Sequence, residues 1–163
     1  MFYVDHFQSP IGTIYLVAEN GTLSNVFLTE DSFQDWETKV ENTQAETPLT
    51  VEVKKQLDAY FNQKRKSFDL PITYKGTAFQ MNVWKALRTI PFGETWSYLD
   101  VAKAIGNEKA VRAIGQANRR NPLPIIVPCH RVIGKNQRLV GYAGNHVDKK
   151  AYLLELEGAA YKL

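Results

Sequence analysis

Asn20-Gly21 stands between two apolar, β-prone runs, Ile14-Tyr15-Leu16-Val17-Ala18 and Val26-Phe27-Leu28. Both turn residues accept positive φ at little steric cost, as a two-residue hairpin loop requires, so the chain is expected to open with antiparallel strands. The pattern then changes period. Residues 33–40 and 51–61 carry apolar side chains at helical spacing, and the polar stretch 41–47 between them reads as a loop. This small unit ends near Pro71, and its hydrophobic residues form no catalytic constellation and are assigned to a core.

The remaining half reads as helices separated by breakers. Thr77-Ala78-Phe79-Gln80 matches the capping box and predicts a helix over 77–88, with Phe79, Val83, Trp84 and Leu87 on one face and Ile90-Pro91-Phe92-Gly93 as its stop. Ser97 opens a second helix with Tyr98, Val101, Ala102 and Ile105, Gly106-Asn107 interrupts it, and a third spans 109–119. Two short helices across a glycine turn suggest helix-turn-helix. In the third, Val111, Ile114 and Ala117 make a narrow apolar face, while Arg112, Gln116 and Arg119 point elsewhere. Gly115 within it costs about 1 kcal/mol relative to alanine, which either helix packing or close approach to a DNA groove would explain. Asn121-Pro122-Leu123-Pro124 ends the helix. The fold class is therefore α+β. A small N-terminal α/β domain with a β-hairpin, 1–75, precedes a mainly helical C-terminal domain, 76–163, containing the helix-turn-helix.

Charge divides at the same place. Residues 1–75 hold 7 basic and 11 acidic side chains, net −4, and residues 76–163 hold 13 and 6, net +7. A polyanion-binding surface would be C-terminal, the alternative being a solvated basic face. The N-terminal residues lack the basic and apolar stretches of a secretory signal, and no apolar run has the length of a membrane span, so a cytoplasmic chain with no membrane partner is expected.

Ile125-Ile126-Val127-Pro128-Cys129-His130-Arg131-Val132-Ile133 is an apolar, β-prone run with the chain's single cysteine at its centre. One cysteine excludes an internal disulfide, and His6, His130 and His146 supply no closely spaced zinc ligand set, so neither metal nor cofactor is expected. A buried cysteine is an inert small hydrophobe unless a cation or base raises its thiolate fraction, because an ordinary thiol, with a pKa of about 8.5, is mostly protonated at neutral pH. His130 and Arg131 are the neighbours able to do so. On an extended segment adjacent side chains point to opposite faces, so His130 is expected to reach the sulfur through a water. An acid must then orient the imidazole. Glu157, just before Gly158 at the end of a helix over 147–157, is the first candidate and Glu155 the second; the alternative for Glu157 is an exposed helix-end carboxylate.

Pro128-Cys129-His130-Arg131-Val132 carries a resemblance to a known family. In the family's order come Phe92-Gly93-Glu94 before Ser97-Tyr98, Ala110-Val111-Arg112-Ala113-Ile114-Gly115, Asn121-Pro122, Gly141-Tyr142-Ala143-Gly144, and Leu153-Leu154 before Glu157-Gly158. Residues 79–158 thus resemble the C-terminal domain of O6-alkylguanine-DNA alkyltransferases, also called methylated-DNA–protein-cysteine methyltransferases. Residues 1–75 resemble the family's variable N-terminal domain in size and position only.

The resemblance implies direct-reversal DNA repair, in which an alkyl group moves irreversibly from guanine O6 to Cys129, once per molecule. It implies that a monomer binds double-stranded DNA through the minor groove with the lesion base flipped out. Arg112 matches the arginine that enters the base stack, and Gly115, Ala117 and Arg119 lie on the docking helix. Tyr98 matches the tyrosine that donates to the flipped guanine, His130 the base acting through a water, and Glu157 its orienting acid. Asn121 matches the hinge, and Pro124, Val132, Tyr142 and Ala143 match pocket positions, Ala143 through its backbone N–H. Gln116 and Arg120 replace frequent small residues, and Asn145 replaces a usual second glycine. A non-catalytic lesion binder would lack the reactive cysteine, a sequence-reading regulator would bind damaged and undamaged sites alike, and a cysteine hydrolase would turn over.

Overall fold

The computed structural model describes residues 1–134 and 147–161, which separate into two compact units, Met1–Tyr74 and Lys75–Leu163. Tyr142, Ala143 and Asn145 lie outside the described residues.

In the first unit, β1 (Phe2–Ser9), β2 (Gly12–Glu19) and β3 (Thr22–Phe27) form an antiparallel meander. The β2–β3 turn is the expected one: Glu19 pairs with Thr22, and Asn20 and Gly21 between them take φ of 50° and 77°. Helix α1 (Glu30–Glu37) starts three residues before the expected helix, because the Thr29 hydroxyl accepts from the Ser32 N–H at 3.2 Å and caps it. The stretch expected as a loop contains β4 (Asn42–Gln44), which pairs in parallel with β1 and gives the sheet order β3-β2-β1-β4. Helix α2 (Pro48–Phe61) follows, with a Thr47–Thr50 capping box and proline in its first turn. The period-2 pleat divides the β2 side chains. Tyr15 and Val17 pack with Val4, Phe27, Phe33 and Trp36, whereas Ile14, Leu16 and Ala18 are buried on the opposite face.

The second unit opens with α3 (Ala78–Leu87), capped by Thr77 and Gln80 as expected; the two bonds are 3.0 and 3.1 Å long. Its Trp84 indole donates to the Ala117 carbonyl at 2.9 Å and so ties α3 to the later helix α5 (Val111–Arg119). Strand β5 (Trp96–Ser97) leads into α4 (Tyr98–Ala104), and Gly106, at φ 74°, makes the turn. A short 3-10 turn, Glu108–Ala110, precedes α5, so the expected helix-turn-helix is present with a tighter entry to its second helix. Val111 was expected on the apolar face but is 38% exposed; Ile114 and Ala117, at 0% and 2%, hold that face alone. Strand β6 (Val132–Ile133) pairs in parallel with β5, and α6 (Val147–Glu157) closes the unit. Among the described residues no helix is long and apolar enough to cross a membrane.

Candidate active site

The run around Cys129 is not the continuous strand its apolar composition suggested; only Val132–Ile133 pairs as one. Ile125 takes φ +75°, which costs a β-branched residue about 1–3 kcal/mol and persists only where its surroundings hold it. Asn121 supplies part of that hold. Its amide donates to the Val127 carbonyl at 2.8 Å, and its Oδ1 accepts from the Leu123 N–H at 3.0 Å. Pro128, at φ −80° and ψ 64°, then makes an inverse γ-turn in which the Cys129 N–H donates to the Val127 carbonyl at 2.8 Å. Proline's fixed φ suits this turn. Cys129–Arg131 follow as one 3-10 turn, so the alternation argued for an extended segment does not apply to Cys129 and His130.

Cys129, His130 and Arg131 are all buried, at 3%, 0% and 7% exposure. Burial pushes the Cys129 thiol up to about 11, against the opposing pull of the Asn121 amide and the Lys150 charge. The resting thiol is therefore protonated at neutral pH and needs a base. His130 lies below its ordinary value because burial penalises the imidazolium more than Glu157 favours it. Its Nε2 lies 2.7 Å from Glu157 Oε2. Burial would raise Glu157, but the charge and hydrogen bond of His130 and those of Arg131 outweigh it and hold the carboxyl well below the ordinary range. A carboxylate can only accept, so Nε2 carries the proton and the neutral ring presents Nδ1 as its basic nitrogen.

Glu157 is thus buried, unlike Glu155, whose carboxylate takes a hydrogen bond from the Tyr161 hydroxyl at the surface. Its position is fixed by a Schellman end to α6. Gly158 takes φ 72°, its N–H reaches the Glu155 carbonyl at 3.1 Å, and the Ala159 N–H reaches that of Leu154 at 2.9 Å. A carboxylate at a helix C-terminus opposes the helix dipole, and Arg131 answers that charge through bonds of 2.8 and 3.1 Å. Arg131 also donates to the Ile90 carbonyl at 2.7 Å and lies 5.8 Å from the Phe92 ring. Expected as a possible activator of the thiol, Arg131 instead braces Glu157.

Two site residues escaped the sequence reading. Lys150 is fully buried on α6, donates to the Val132 carbonyl, and has its ammonium lowered to about 8 by burial, with Cys129 close enough to oppose the shift. Its signal was a lysine one and two turns before Leu154 and Glu157 on the same face. Asn118, 4% exposed, donates to the Cys129 carbonyl at 3.3 Å from the inward face of α5, where Ile114 and Ala117 already marked the spacing.

The outward face of α5 holds the remaining candidates. Tyr98, Val111, Arg112, Gly115, Gln116 and Arg119 line an open concavity. A Cβ on Gly115 would meet nothing nearer than the Tyr98 ring at 3.9 Å, so helix packing does not account for the glycine and the surface itself must. Arg120 is exposed nearby. Ala117, expected on the apolar face and by the resemblance also in the close fit to DNA, points inward against α3, where its small size serves packing. Burial pushes the Tyr98 phenol up to about 12, with Arg119 opposing and Cys129 adding to the shift, which places it near the thiol. The β5–β6 pairing explains that proximity, because Trp96 opposes Val132 just before Tyr98 and just after the reactive turn. Pro124 and Val132 are buried beside this turn.

Comparison with known proteins matches both units. Residues 2–74 fit the model of the 6-O-methylguanine DNA methyltransferase ribonuclease-like domain, and residues 78–159 fit that of the 6-O-methylguanine DNA methyltransferase DNA binding domain. The constitutive methylated-DNA–protein-cysteine methyltransferase of Bacillus subtilis is 50% identical over 163 residues, covering 99% of each chain. The crystal structure of Mycobacterium tuberculosis O6-methylguanine methyltransferase matches with a TM-score of 0.86 at 42% identity, over 97% of this chain and 93% of that one. A structure of the M. tuberculosis protein in complex with DNA matches with a TM-score of 0.84 at 42% identity, over 96% and 92% of the two chains. The chain therefore belongs to the methylated-DNA–protein-cysteine methyltransferase family.

Proposed function

We propose that this chain repairs O6-alkylguanine in DNA by moving the alkyl group to Cys129, and that each molecule reacts once. The observation that carries the assignment of the nucleophile is Cys129 in one 3-10 turn with His130, whose ring is held by the buried carboxylate of Glu157. The thiol proton passes to His130 Nδ1 through a water, the sulfur attacks the alkyl carbon, and the carbon–O6 bond breaks with its electrons going to guanine. Guanine leaves readily only if its developing charge meets a donor, and Tyr98, protonated with a value near 12, holds such a proton. The new thioether has no easy route back, which makes the reaction suicidal.

DNA binding is supported by the basic second unit and by the relative crystallised in complex with DNA. The exposed face of α5 fits the minor groove because Gly115 leaves it shallow, while Arg112 and Arg119 supply cations beside Tyr98. Arg112 fills the gap left when the lesion base flips out, offsetting part of an unstacking cost of a few kcal/mol. One chain suffices for this geometry, and the cytoplasmic placement is supported by its likeness to methyltransferases named for acting on methylated DNA.

Arg112→Ala is expected to slow repair of duplex roughly 10-fold or more, about the worth of 1.4 kcal/mol, while leaving reaction with a free modified base nearly unchanged. Single-turnover rates on both substrates check this; equal losses would refute the stacking role. The pH profile tests His130. Because its folded value lies below 6.5, the transfer rate should hold through 6.5 and fall only under it. A rate that instead climbs with pH toward an ordinary thiol value would mean direct ionisation without the imidazole.

A further inference from the structure

The open concavity on α5 has an uncharged amide at its centre. Arg112, Gln116 and Arg119 follow at helical spacing on one face, and Gln116 is exposed between the two cations and beside Gly115. Elsewhere the chain uses such amides at both ends. Gln56 donates to the Asp69 carbonyl at 3.0 Å and accepts from the Asp69 N–H at 2.9 Å, and Asn121 likewise both donates to and accepts from the backbone. Among the described residues the Gln116 amide has no such partner, so its N–H donors and its oxygen are left for whatever enters the concavity. A phosphate only accepts, and the cations on either side already answer it. On the minor-groove edge an A·T pair also presents acceptors alone, whereas guanine sets an N2 donor beside its N3 acceptor. That donor–acceptor pair is the one an amide matches with both ends, as Gln56 matches Asp69.

We propose that Gln116 is a specificity-determining residue that reads a G·C pair beside the lesion, its Nε2 donating to guanine N3 and its Oε1 accepting from the guanine 2-amino group. This rests on the minor-groove reading of α5 given above. Gln116 lies one helical turn beyond Arg112, about 6 Å along the helix axis, and base pairs follow one another at about 3.4 Å. With Arg112 in the stack at the lesion, Gln116 meets one of the two pairs that follow on one side of it. An A·T pair there leaves Oε1 facing acceptors only, and the unmet oxygen makes that context the slower substrate.

The test is single-turnover transfer at subsaturating protein from duplexes carrying one O6-methylguanine, comparing the natural full chain with Gln116→Ala. Alanine is the better helix former and the replaced side chain is exposed, so the variant keeps the fold. Guanines in the two pairs on either side of the lesion are replaced in turn by inosine, which lacks only the 2-amino group, or by 7-deazaguanine, which lacks only the major-groove acceptor N7. Inosine at one of these positions should slow the natural chain about 5-fold or more. It should leave Gln116→Ala within about 2-fold of its rate on guanine, and 7-deazaguanine should slow neither protein. Equal inosine effects on both proteins, including none on either, or a Gln116→Ala loss that is the same on every duplex, would overturn the proposal while leaving minor-groove docking in place. Slowing by 7-deazaguanine and not by inosine would put α5 in the major groove and remove the docking reading together with the proposal.

Discussion

Cys129→Ser is expected to leave no detectable alkyl transfer while retaining selective binding of alkylated DNA. The substitution is nearly isosteric, and the surroundings that push a thiol up to about 11 would leave an alcohol wholly un-ionised. His130, neutral and held by Glu157, is a base matched to a thiol and far too weak for a serine hydroxyl. Stability should change by only about 1 kcal/mol, because the hydroxyl is close to the thiol in size and shape and a buried polar group of this kind costs little more in an already polar turn. Transfer rate, binding to lesion and control duplexes, and thermal unfolding together check the result. Retained transfer would show that another side chain is the acceptor.

Glu157→Gln should cost both rate and stability. The amide preserves shape but removes the charge that Arg131 meets with two hydrogen bonds, leaving a guanidinium at 7% exposure with the Ile90 carbonyl and the Phe92 ring. Breaking a buried pair from one side typically costs about 3–5 kcal/mol, or roughly 6–20 °C in a chain of this size. The imidazole also loses its charged acceptor, because the one amide oxygen that remains must serve both His130 and Arg131 and holds the tautomer less firmly, so transfer should fall about 10²-fold.

Acid should reveal the same group. Glu157 and His130 both titrate below their ordinary values of 4.5 and 6.5 in the folded chain, so the unfolded chain binds more protons as pH falls through each. Stability from them is full above about 6.5 and is lost as pH drops, first through the His130 window and then below 4.5. In Glu157→Gln the loss below 4.5 should shrink. An unchanged unfolding midpoint and acid profile would refute the bracing role.

What could be read in the sequence depended on how local the cause was. Asn20-Gly21 makes its turn by its own backbone preference, and Thr77 with Gln80 caps α3 within four residues, so both appeared where expected. β4 was missed because Asn42–Gln44 has no strand-like composition and is a strand only through pairing with β1, some forty residues away. The reactive run failed in the opposite sense: its composition favours a strand, but the Ile125 and Pro128 turns override it. At the site, the Pro-Cys-His-Arg-Val motif marked Cys129 and His130, and the helix-ending Gly158 directed attention to Glu157. Lys150 and Asn118 look like surface residues in isolation, and only packing of α6 and α5 on the reactive turn turns them inward. Arg131 was noticed for its charge, but its real target, Glu157, lies 26 residues on.

The most direct measurement is mass spectrometry of the intact protein and its peptides after mixing with a slight excess of duplex carrying one O6-methylguanine. The account predicts a gain of one methylene, confined to the peptide containing Cys129, stopping at one per molecule, with unmodified guanine left in the DNA. A methyl group on another residue, continued turnover beyond one per molecule, or selective binding with no mass gain would contradict it.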